Sequence, residues 1–475
     1  MSNQRYSKKK KQSAFTALLT VPCLCIFGVV VIFVIILAAS GELNNDLNMG
    51  AAVSSESSDP VAADNDISLS LDDNTLAYTR PVVNVTVNDV NIPVPEGVKE
   101  LLTSYFTDKY TALGSLEYSP LTKHFITDDR TGELFAGLCN TALEYEVYLR
   151  RSFISNLSYT TANVDITITD FKINGNSYNV EYTLGEAVDF ALSSETSYTV
   201  GNEGKSEITA DSGNGCKFVM LYDENAATVQ TEEYILDYLG IDSYSYDLTE
   251  AVIPENTNIS ATFALILKQL KEDVDTAAAD RQAQFDSADS AKITLTADNK
   301  YDREAAVAYS YTWTDKESVV RNTDKYSDYS GFGGNCQNFV SQCLHESGIP
   351  MDWTGTYDNQ WKWFDDELNY QETASGRVPA WSDTYQFYNY CRSNTDVLVA
   401  ETDANLYTGE PGDIIQYSVK GYTYHSVIIV DVIKDTKGNV IDYLVNSNTS
   451  DKVNFPMSAY GYSDMRMIKV IGYND

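Results

Sequence analysis

An uncharged, almost wholly apolar run over residues 14–39 constrains this chain first, because it decides where the remaining residues must fold. At 1.5 Å per residue, a helix over this run is long enough to cross a hydrocarbon core of about 30 Å. Four lysines at positions 8–11 precede it and predict a cytoplasmic tail over residues 1–13 by the positive-inside rule. We therefore expect a single-pass cell-membrane protein whose bulk is extracellular. A cleaved secretory signal is the alternative, although its apolar core should be only about 7–15 residues long.

The composition excludes one large class of function. The chain has 475 residues, with 33 Lys and Arg against 68 Asp and Glu, for a formal net charge of −35. A direct nucleic-acid binder needs basic patches that neutralise phosphates, so we expect no nucleic-acid partner. Hydrophobic residues at 43% and 34 tyrosines indicate folded domains, and the length indicates more than one.

Two segments read as connections between folded units. Residues 41–80 are polar, acidic and poor in bulky apolar side chains, which predicts a disordered linker. Residues 258–290 are rich in Ala, Asp and Gln at helical spacing, which predicts a helical spacer.

Residues 82–248, between these connections, have the pattern of an α+β domain. Apolar residues recur at helical spacing over 98–113 and 132–153. Alternating segments predict antiparallel strands over 159–171, 177–184, 197–210 and 217–229. The architecture loosely resembles the cystatin or nuclear-transport-factor cone, and that resemblance indicates no activity.

Residues 298–475 contain the segment that carries chemistry, GFGGNCQNFVSQCLHESG at 331–348. A glycine-rich turn runs into an apolar-periodic helix, which places Cys336 at the helix N-terminus. Unpaired N–H groups and the helix dipole favour a thiolate there. We expect Gly333, Gly334 and Asn335 to form a loop that admits substrate and holds an oxyanion. Considered alone, a cysteine such as Cys336 is more often a buried apolar residue than a nucleophile.

A cysteine nucleophile usually needs a histidine base, and this domain offers His345 and His425. His345 lies nine residues beyond Cys336 on the same helix, which turns it half a turn away. His425 opens a predicted strand over 424–432, between strands over 413–419 and 440–446. His425 is therefore the candidate base.

A third residue should orient the histidine by accepting a hydrogen bond from its other ring nitrogen. The strand after His425 ends in LVNSNTSD, which offers several acceptors. Asn448 is the first candidate, Asn446 on the same face is the alternative, and Asp451 is the third.

At these residues the chain resembles a known family. The strings YDREAAVAYSYTW, GGNCQNFVSQCL, GIPM, AWSDTYQFYNY, GDIIQY and HSVIIV resemble the putative amidase domain of bacterial exported proteins, whose diagnostic string is GGDCTNFVSQCL. That domain is similar to the CHAP and NlpC-type cell-wall hydrolases, which implies a papain-like α+β fold. The resemblance implies Cys336 as nucleophile, His425 as base and Asn448 as third residue.

This chain departs from the family pattern at three places. Asn335 stands where the family string has Asp, and Gln337 stands where it has Thr. Asn448 and Thr449 stand where His-Thr is expected. The first two departures should retune the cleft, and the third bears on how the histidine is oriented.

The sequence thus predicts a fold class of α+β with an N-terminal transmembrane helix, and a membrane-anchored cysteine amidase or peptidase. Its expected substrate is an amide bond in peptidoglycan of a Gram-positive cell wall. Neither a metal nor an organic cofactor is implied. The alternative is a catalytically inactive cell-surface binding or scaffold protein.

Overall fold

A computed structural model shows the arrangement of two sheets and the helices packed on them. It describes residues 80–89, 93–191, 196–197, 202–211, 213, 215–223, 235, 239, 253, 256–315, 318–330, 334–356, 359–363, 377–393, 396–419, 422–449 and 451–475. The predicted tail over 1–13, the apolar run over 14–39 and the linker up to residue 79 lie outside the described residues.

The prediction of a membrane-spanning helix is wrong for the part of the chain that the structure describes. Among the residues that the structure describes, no helix combines the length and the apolar composition that crossing a membrane requires. A 29-residue helix, Ile259–Ser287, has the length but carries charged side chains such as Lys268 and Glu272, which pair with each other. Over the described residues the fold class is therefore α+β with no transmembrane helix, and the single-pass membrane location inferred from that helix is withdrawn.

The N-terminal domain packs two helices on a curved sheet. The helices are α1 (Glu96–Ser115) and α2 (Arg130–Arg151), and α2 begins after Asp129, whose side chain accepts a hydrogen bond from the Gly132 N–H at 2.8 Å. The strands are β1 (Val82–Asp89), β2 (Tyr159–Asn174), β3 (Ser177–Phe190), β4 (Thr196–Ser197), β5 (Asn202–Asp211) and β6 (Gly215–Asp223). The sheet order is β1-β2-β3-β5-β6, with β4 paired to β3. β1 pairs with β2 in parallel, a pairing that the alternating pattern did not predict.

Helix α3 (Ile259–Ser287) covers the region predicted as a helical spacer. Its apolar side chains Phe263, Ile266, Leu270 and Val274 are buried in the core of the N-terminal domain. Lys271 on α3 pairs with Glu144 on α2 at 2.7 Å. The helix therefore packs along α2 instead of standing apart as a connection.

The C-terminal domain places helices against an antiparallel sheet. Its helices are α4 (Arg303–Thr312), α5 (Cys336–Glu346), α6 (Pro379–Ser382) and α7 (Thr384–Ser393). Its strands are β7 (Leu398–Ala404), β8 (Ile414–Val419), β9 (Tyr422–Lys434), β10 (Val440–Ser447), β11 (Lys452–Pro456) and β12 (Asp464–Tyr473). Within the described residues the sheet order is β11-β10-β9-β8-β12-β7. This order puts β9 near the centre of the sheet, where α5 packs on it.

The two domains share a continuous apolar core. We call the surface along which they meet the domain interface. The Phe190 ring at the end of β3 meets the Phe455 ring of β11 edge-on, with centroids 5.7 Å apart. The Ser155 hydroxyl donates to the buried Asp442 carboxylate of β10 at 2.8 Å. The N-terminal domain is thus packed directly against the strands that follow His425.

Candidate active site

Helix α5 begins at Cys336, as the glycine-rich turn predicts. Its buried face includes Phe339, Val340 and Leu344, which hold the helix in the core of the domain. The chain leaves the helix through Gly348, whose φ of +104° lies in the region that favours glycine. Cys336 therefore stands at the first turn, where backbone N–H groups have no partner within the helix.

The loop before Cys336 is hydrogen-bonded to Thr449, which follows β10. Gly333 lies outside the described residues, and Gly334 adopts a φ of +125°. The Asn335 N–H donates to the Thr449 Oγ1 at 2.5 Å. Because that N–H is already bonded, it is not available to an oxyanion in this conformation. The Asn335 side-chain Nδ2 is engaged as well, since it donates to the Asn448 Oδ1 at 2.8 Å.

His425 lies on β9 opposite Tyr417 of β8, and the next residue along β9 contacts the thiol. The Ser426 N–H points at the Cys336 sulfur, together with the N–H groups of Gln337 and Cys336 itself. Cys336 is 7% exposed and His425 is 8% exposed, so both are buried without being completely sealed. The structure thus places the Cys336 thiol beside the strand residue that follows His425.

Electrostatics favour a neutral thiol and a neutral imidazole in this conformation. Burial raises the pKa of the Cys336 thiol, while the N–H groups of Ser426 and Gln337 act in the opposite direction. Burial, together with the smaller effect of the positive charge of Lys452, lowers the pKa of His425 to about 3. His425 is therefore a free base over the physiological pH range, able to accept the thiol proton.

The predicted orienting residues all have other partners. The Asn448 Oδ1 accepts from the Asn335 Nδ2 at 2.8 Å, and its Nδ2 donates to the Trp313 carbonyl at 2.9 Å. The Asn446 Nδ2 donates to Ser310 at 2.9 Å, and its Oδ1 accepts from the Asn454 N–H at 2.9 Å. Within the described residues, neither amide is hydrogen-bonded to His425.

Asp451, the third alternative, is also engaged elsewhere. Its carboxylate binds the Arg321 guanidinium with two bonds of 2.7 and 2.9 Å and accepts from the Thr449 N–H at 3.2 Å. Thr449 adopts a φ of +75°, a strained conformation for a β-branched residue. These bonds fix the turn that carries Thr449 beside the Cys336 loop.

Aromatic rings, which sequence reasoning missed, surround His425. The Tyr417 ring stacks on the imidazole with centroids 6.3 Å apart, and the Tyr460 ring lies tilted to it at 5.5 Å. The Tyr460 hydroxyl is hydrogen-bonded to the Ser447 hydroxyl at 2.9 Å. Tyr460 follows β11 in a segment with no periodic signal that could have indicated contact with β9.

A buried polar layer under the pair was also missed. The Ser426 hydroxyl donates to the Gln337 Oε1 at 2.8 Å, and the Gln416 Nε2 donates to the Ser426 Oγ at 3.0 Å. Each of these side chains is fully buried. Because Gln337 follows Cys336 and Ser426 follows His425, these bonds fix α5 against β9 at the site. The only available signal was Gln337 itself, as a departure from the family string.

The other histidine of the domain has a structural partner. The His345 Nδ1 is 2.9 Å from the Ile349 carbonyl oxygen, beyond the end of α5, and its ring lies edge-on to Trp381 at 6.0 Å. Trp361 and Trp381 are fully buried and donate to Ser341 and Asn338. These contacts place His345 and both tryptophans in the core.

In an α+β domain, a cysteine at a helix N-terminus beside a histidine on the adjoining strand defines a site suited to acyl-transfer chemistry. Residues 300–471 match the family model of the "Putative amidase domain", which confirms the predicted family. The match lies within the C-terminal domain. The predicted relation to CHAP and NlpC-type hydrolases stays a prediction.

The chain is also similar in sequence to a bacterial protein. A protein of Bacillus subtilis (strain 168) described as "Uncharacterized protein YhbB" is 28% identical over 165 residues, which cover 35% of this chain and 46% of that protein. This chain therefore matches less than half of the relative's length. No solved structure matches this chain. Within the described residues, no cluster of three or more His, Cys, Asp or Glu side chains is arranged to hold a metal ion.

Proposed function

We propose that the C-terminal domain hydrolyses amide bonds in peptidoglycan peptides, with Cys336 as nucleophile and His425 as base. The observation that carries the proposal is the contact of the Cys336 sulfur with the N–H of Ser426, the neighbour of His425. This contact brings the thiol to the strand position of the imidazole at a helix N-terminus. The membership of residues 300–471 in an amidase family supports the reaction class.

In the first half of the proposed reaction, His425 takes the thiol proton as the Cys336 sulfur attacks the carbonyl carbon. The carbonyl oxygen becomes negatively charged in the tetrahedral intermediate and accepts hydrogen bonds from N–H groups at the start of α5. The intermediate then collapses as the C–N bond breaks, and His425 gives its proton to the leaving amine. The product is a thioester on Cys336.

In the second half, His425 takes a proton from water, which attacks the thioester carbonyl. The C–S bond breaks, His425 gives its proton to the departing sulfur, and the acid product leaves with the Cys336 thiol restored. The third residue of this proposed triad is Asn448. In the conformation described, Asn448 acts on the Asn335 side of the site and not on His425 directly.

The test is hydrolysis of purified Gram-positive peptidoglycan by the full chain, with new amino groups and released muropeptides measured by mass spectrometry. Cys336→Ala and His425→Ala should remove the new ends. Matched controls are Cys343→Ala and His345→Ala, which alter the other cysteine and histidine of α5 and should keep the activity.

Two outcomes would contradict the proposal. Turnover that persists in Cys336→Ala would exclude a cysteine nucleophile at this position. If no form releases product while wall binding is retained, the chain is a non-catalytic binding or scaffold protein. The engagement of Asn448 by Asn335 and Trp313 is the observation that favours this second function.

A further inference from the structure

The face of the C-terminal domain behind His425 is closed by the N-terminal domain. His425 contacts the Tyr460 ring, and the Phe455 ring meets Tyr460 edge-on at 5.0 Å. Phe190 of the N-terminal domain then meets Phe455 at 5.7 Å. A continuous line of ring contacts therefore joins the end of β3 to the candidate base.

A buried cation is held within the same line of rings. The Lys452 Nζ lies 3.9 Å from the centroid of the Phe455 ring and 4.6 Å from that of Tyr460. These contacts are close enough for cation–π attraction, which strengthens when water is excluded. Lys452 is only 9% exposed, so its charge acts on the site with little screening.

The negative charges that act on Lys452 come from the N-terminal domain. Burial lowers the pKa of Lys452 to about 8, and the carboxylates of Glu186 on β3 and Glu146 on α2 partly offset this. The N-terminal domain therefore supplies the carboxylates that act on the ammonium group and, through Phe190, the ring that packs against Phe455.

We propose that the N-terminal domain is a part of the catalytic unit and that, through Phe190, it holds Lys452 and Tyr460 against the histidine base. Lys452 and Tyr460 are positioning residues in this arrangement, because they act through His425 and not on substrate. The proposal rests on the proposed role of His425 as base. It gives the N-terminal domain a function in the same reaction.

The charge environment of His425 gives the proposal a measurable consequence. Within the described residues, Tyr417 from β8, Tyr460 from the segment after β11 and Lys452 from β11 act on His425, and the Cys336 thiol of α5 lies at the N–H of the next residue, Ser426. Of these, Lys452 is the cation. Removing its charge should raise the pKa of His425, because a nearby positive charge disfavours the imidazolium.

The experiment is a pH titration of the full chain labelled with [13Cε1]-histidine and followed by NMR. The chain has three histidines, so His124→Gln and His345→Gln identify the His425 signal by elimination. In the wild-type chain the signal should not titrate above about pH 4. Lys452→Met should move the titration up by about one pH unit, whereas Lys452→Arg keeps the charge and should leave it in place.

The contribution of the N-terminal domain is tested by Phe190→Leu, which shortens the side chain and admits water behind Phe455. The His425 titration should again move up, because burial is the largest cause of its low pKa. Phe171→Leu is the matched control, since Phe171 lies at the other end of the β2–β3 hairpin and stacks on Tyr178. It should leave the titration unchanged.

The inference is overturned if folded Lys452→Met and Phe190→Leu both titrate as the wild-type chain does. It is also overturned if Phe171→Leu shifts the signal as much as Phe190→Leu. If Phe190→Leu does not fold by circular dichroism, Phe190→Met carries this arm of the test. Because the titration needs no turnover, failure to hydrolyse peptidoglycan would refute the proposed function alone.

Discussion

The two domains each bury a histidine, and the two side chains are held in opposite ways. In the N-terminal domain, the His124 Nε2 lies 2.7 Å from the Asp108 carboxylate. In the C-terminal domain, within the described residues, no hydrogen bond holds the His425 ring, and aromatic rings fix it instead. A histidine bonded to a carboxylate at Nε2 has that nitrogen occupied, whereas both ring nitrogens of His425 are without a hydrogen bond among the described residues.

The comparison teaches how to separate a structural histidine from a candidate base when both are buried. Burial lowers the pKa of both residues, and the Asp108 carboxylate partly offsets this for His124. Burial and the direction of the pKa are therefore not diagnostic. The diagnostic features are unoccupied ring nitrogens and a nucleophile beside them.

Replacing each of the two histidines by glutamine should give the largest difference in kcat/KM between paired variants. His425→Gln should lower kcat/KM for wall hydrolysis by about 10³-fold or more, because the thiol loses its proton acceptor. His124→Gln should leave kcat/KM unchanged and lower the free energy of unfolding by about 1 kcal/mol through the lost bond to Asp108. Steady-state kinetics and urea unfolding measure the two outcomes. Equal kinetic losses in both variants would remove the distinction.

The two cysteines of α5 provide the next test. Cys343 is fully buried in the core and burial holds the pKa of its thiol well above the usual range, whereas backbone N–H groups face Cys336. Iodoacetamide at neutral pH should alkylate Cys336 about 100-fold faster than Cys343. Peptide mass spectrometry of the labelled chain measures both rates. Equal slow labelling would argue against an activated thiol and for the scaffold function.

The half-buried Asp108 of the N-terminal domain and the buried Asp442 of the C-terminal domain have pKa values shifted in opposite directions. Burial pushes the pKa of Asp108 up, but its bonds from Lys123 and His124 outweigh this and lower it. Burial raises the pKa of Asp442 to about 6, although Ser155 and Ser458 donate hydrogen bonds to it.

The raised pKa of Asp442 predicts a pH-dependent stability. The folded state binds the Asp442 proton more tightly than the unfolded state, so its stability should fall as pH rises from about 4 to about 6. Above that window the penalty should be fully present, at roughly 3 kcal/mol. Asp442→Asn should flatten this part of the profile, as measured by urea unfolding at several pH values. A profile of unchanged slope in the variant would show that other groups cause it.

The smallest effect should come from Thr449, whose hydroxyl accepts from the Asn335 N–H. Thr449→Val keeps the branched shape and the strained backbone but removes the acceptor, and should lower kcat about fivefold with little change in KM. Thr449→Ser keeps the hydroxyl and should retain the wild-type kcat. If Thr449→Val matches Thr449→Ser, the bond does not position the loop.

Local patterns predicted the parts of the fold that depend on neighbouring residues. The helical spacing over 98–113 and 132–153 corresponds to α1 and α2, and the alternation over 177–184 lies within β3. The glycine-rich turn before Cys336 predicted the start of α5 because few residues permit that backbone. These features are set by residues within a few positions of one another.

Long-range contacts could not be predicted in this way. The parallel pairing of β1 with β2 joins residues about 80 positions apart. Tyr460 and Lys452 reach His425 only because β9, β10 and β11 are adjacent in the sheet. The partners of the Asn448 side-chain amide lie just before α5 and just beyond α4, and the strand pattern contains no information about either contact.

Arg281, near the end of α3, is hydrogen-bonded to both domains and therefore affects how the molecule unfolds. Its guanidinium donates to the Ser463 carbonyl of the C-terminal domain at 2.8 Å and to the Ser152 hydroxyl of the N-terminal domain at 2.6 Å. Separating the domains would leave this buried cation without half of its partners. The two sheets should therefore lose their structure together, as one cooperative unit, and the amidase domain should not persist as an autonomous fragment after proteolysis.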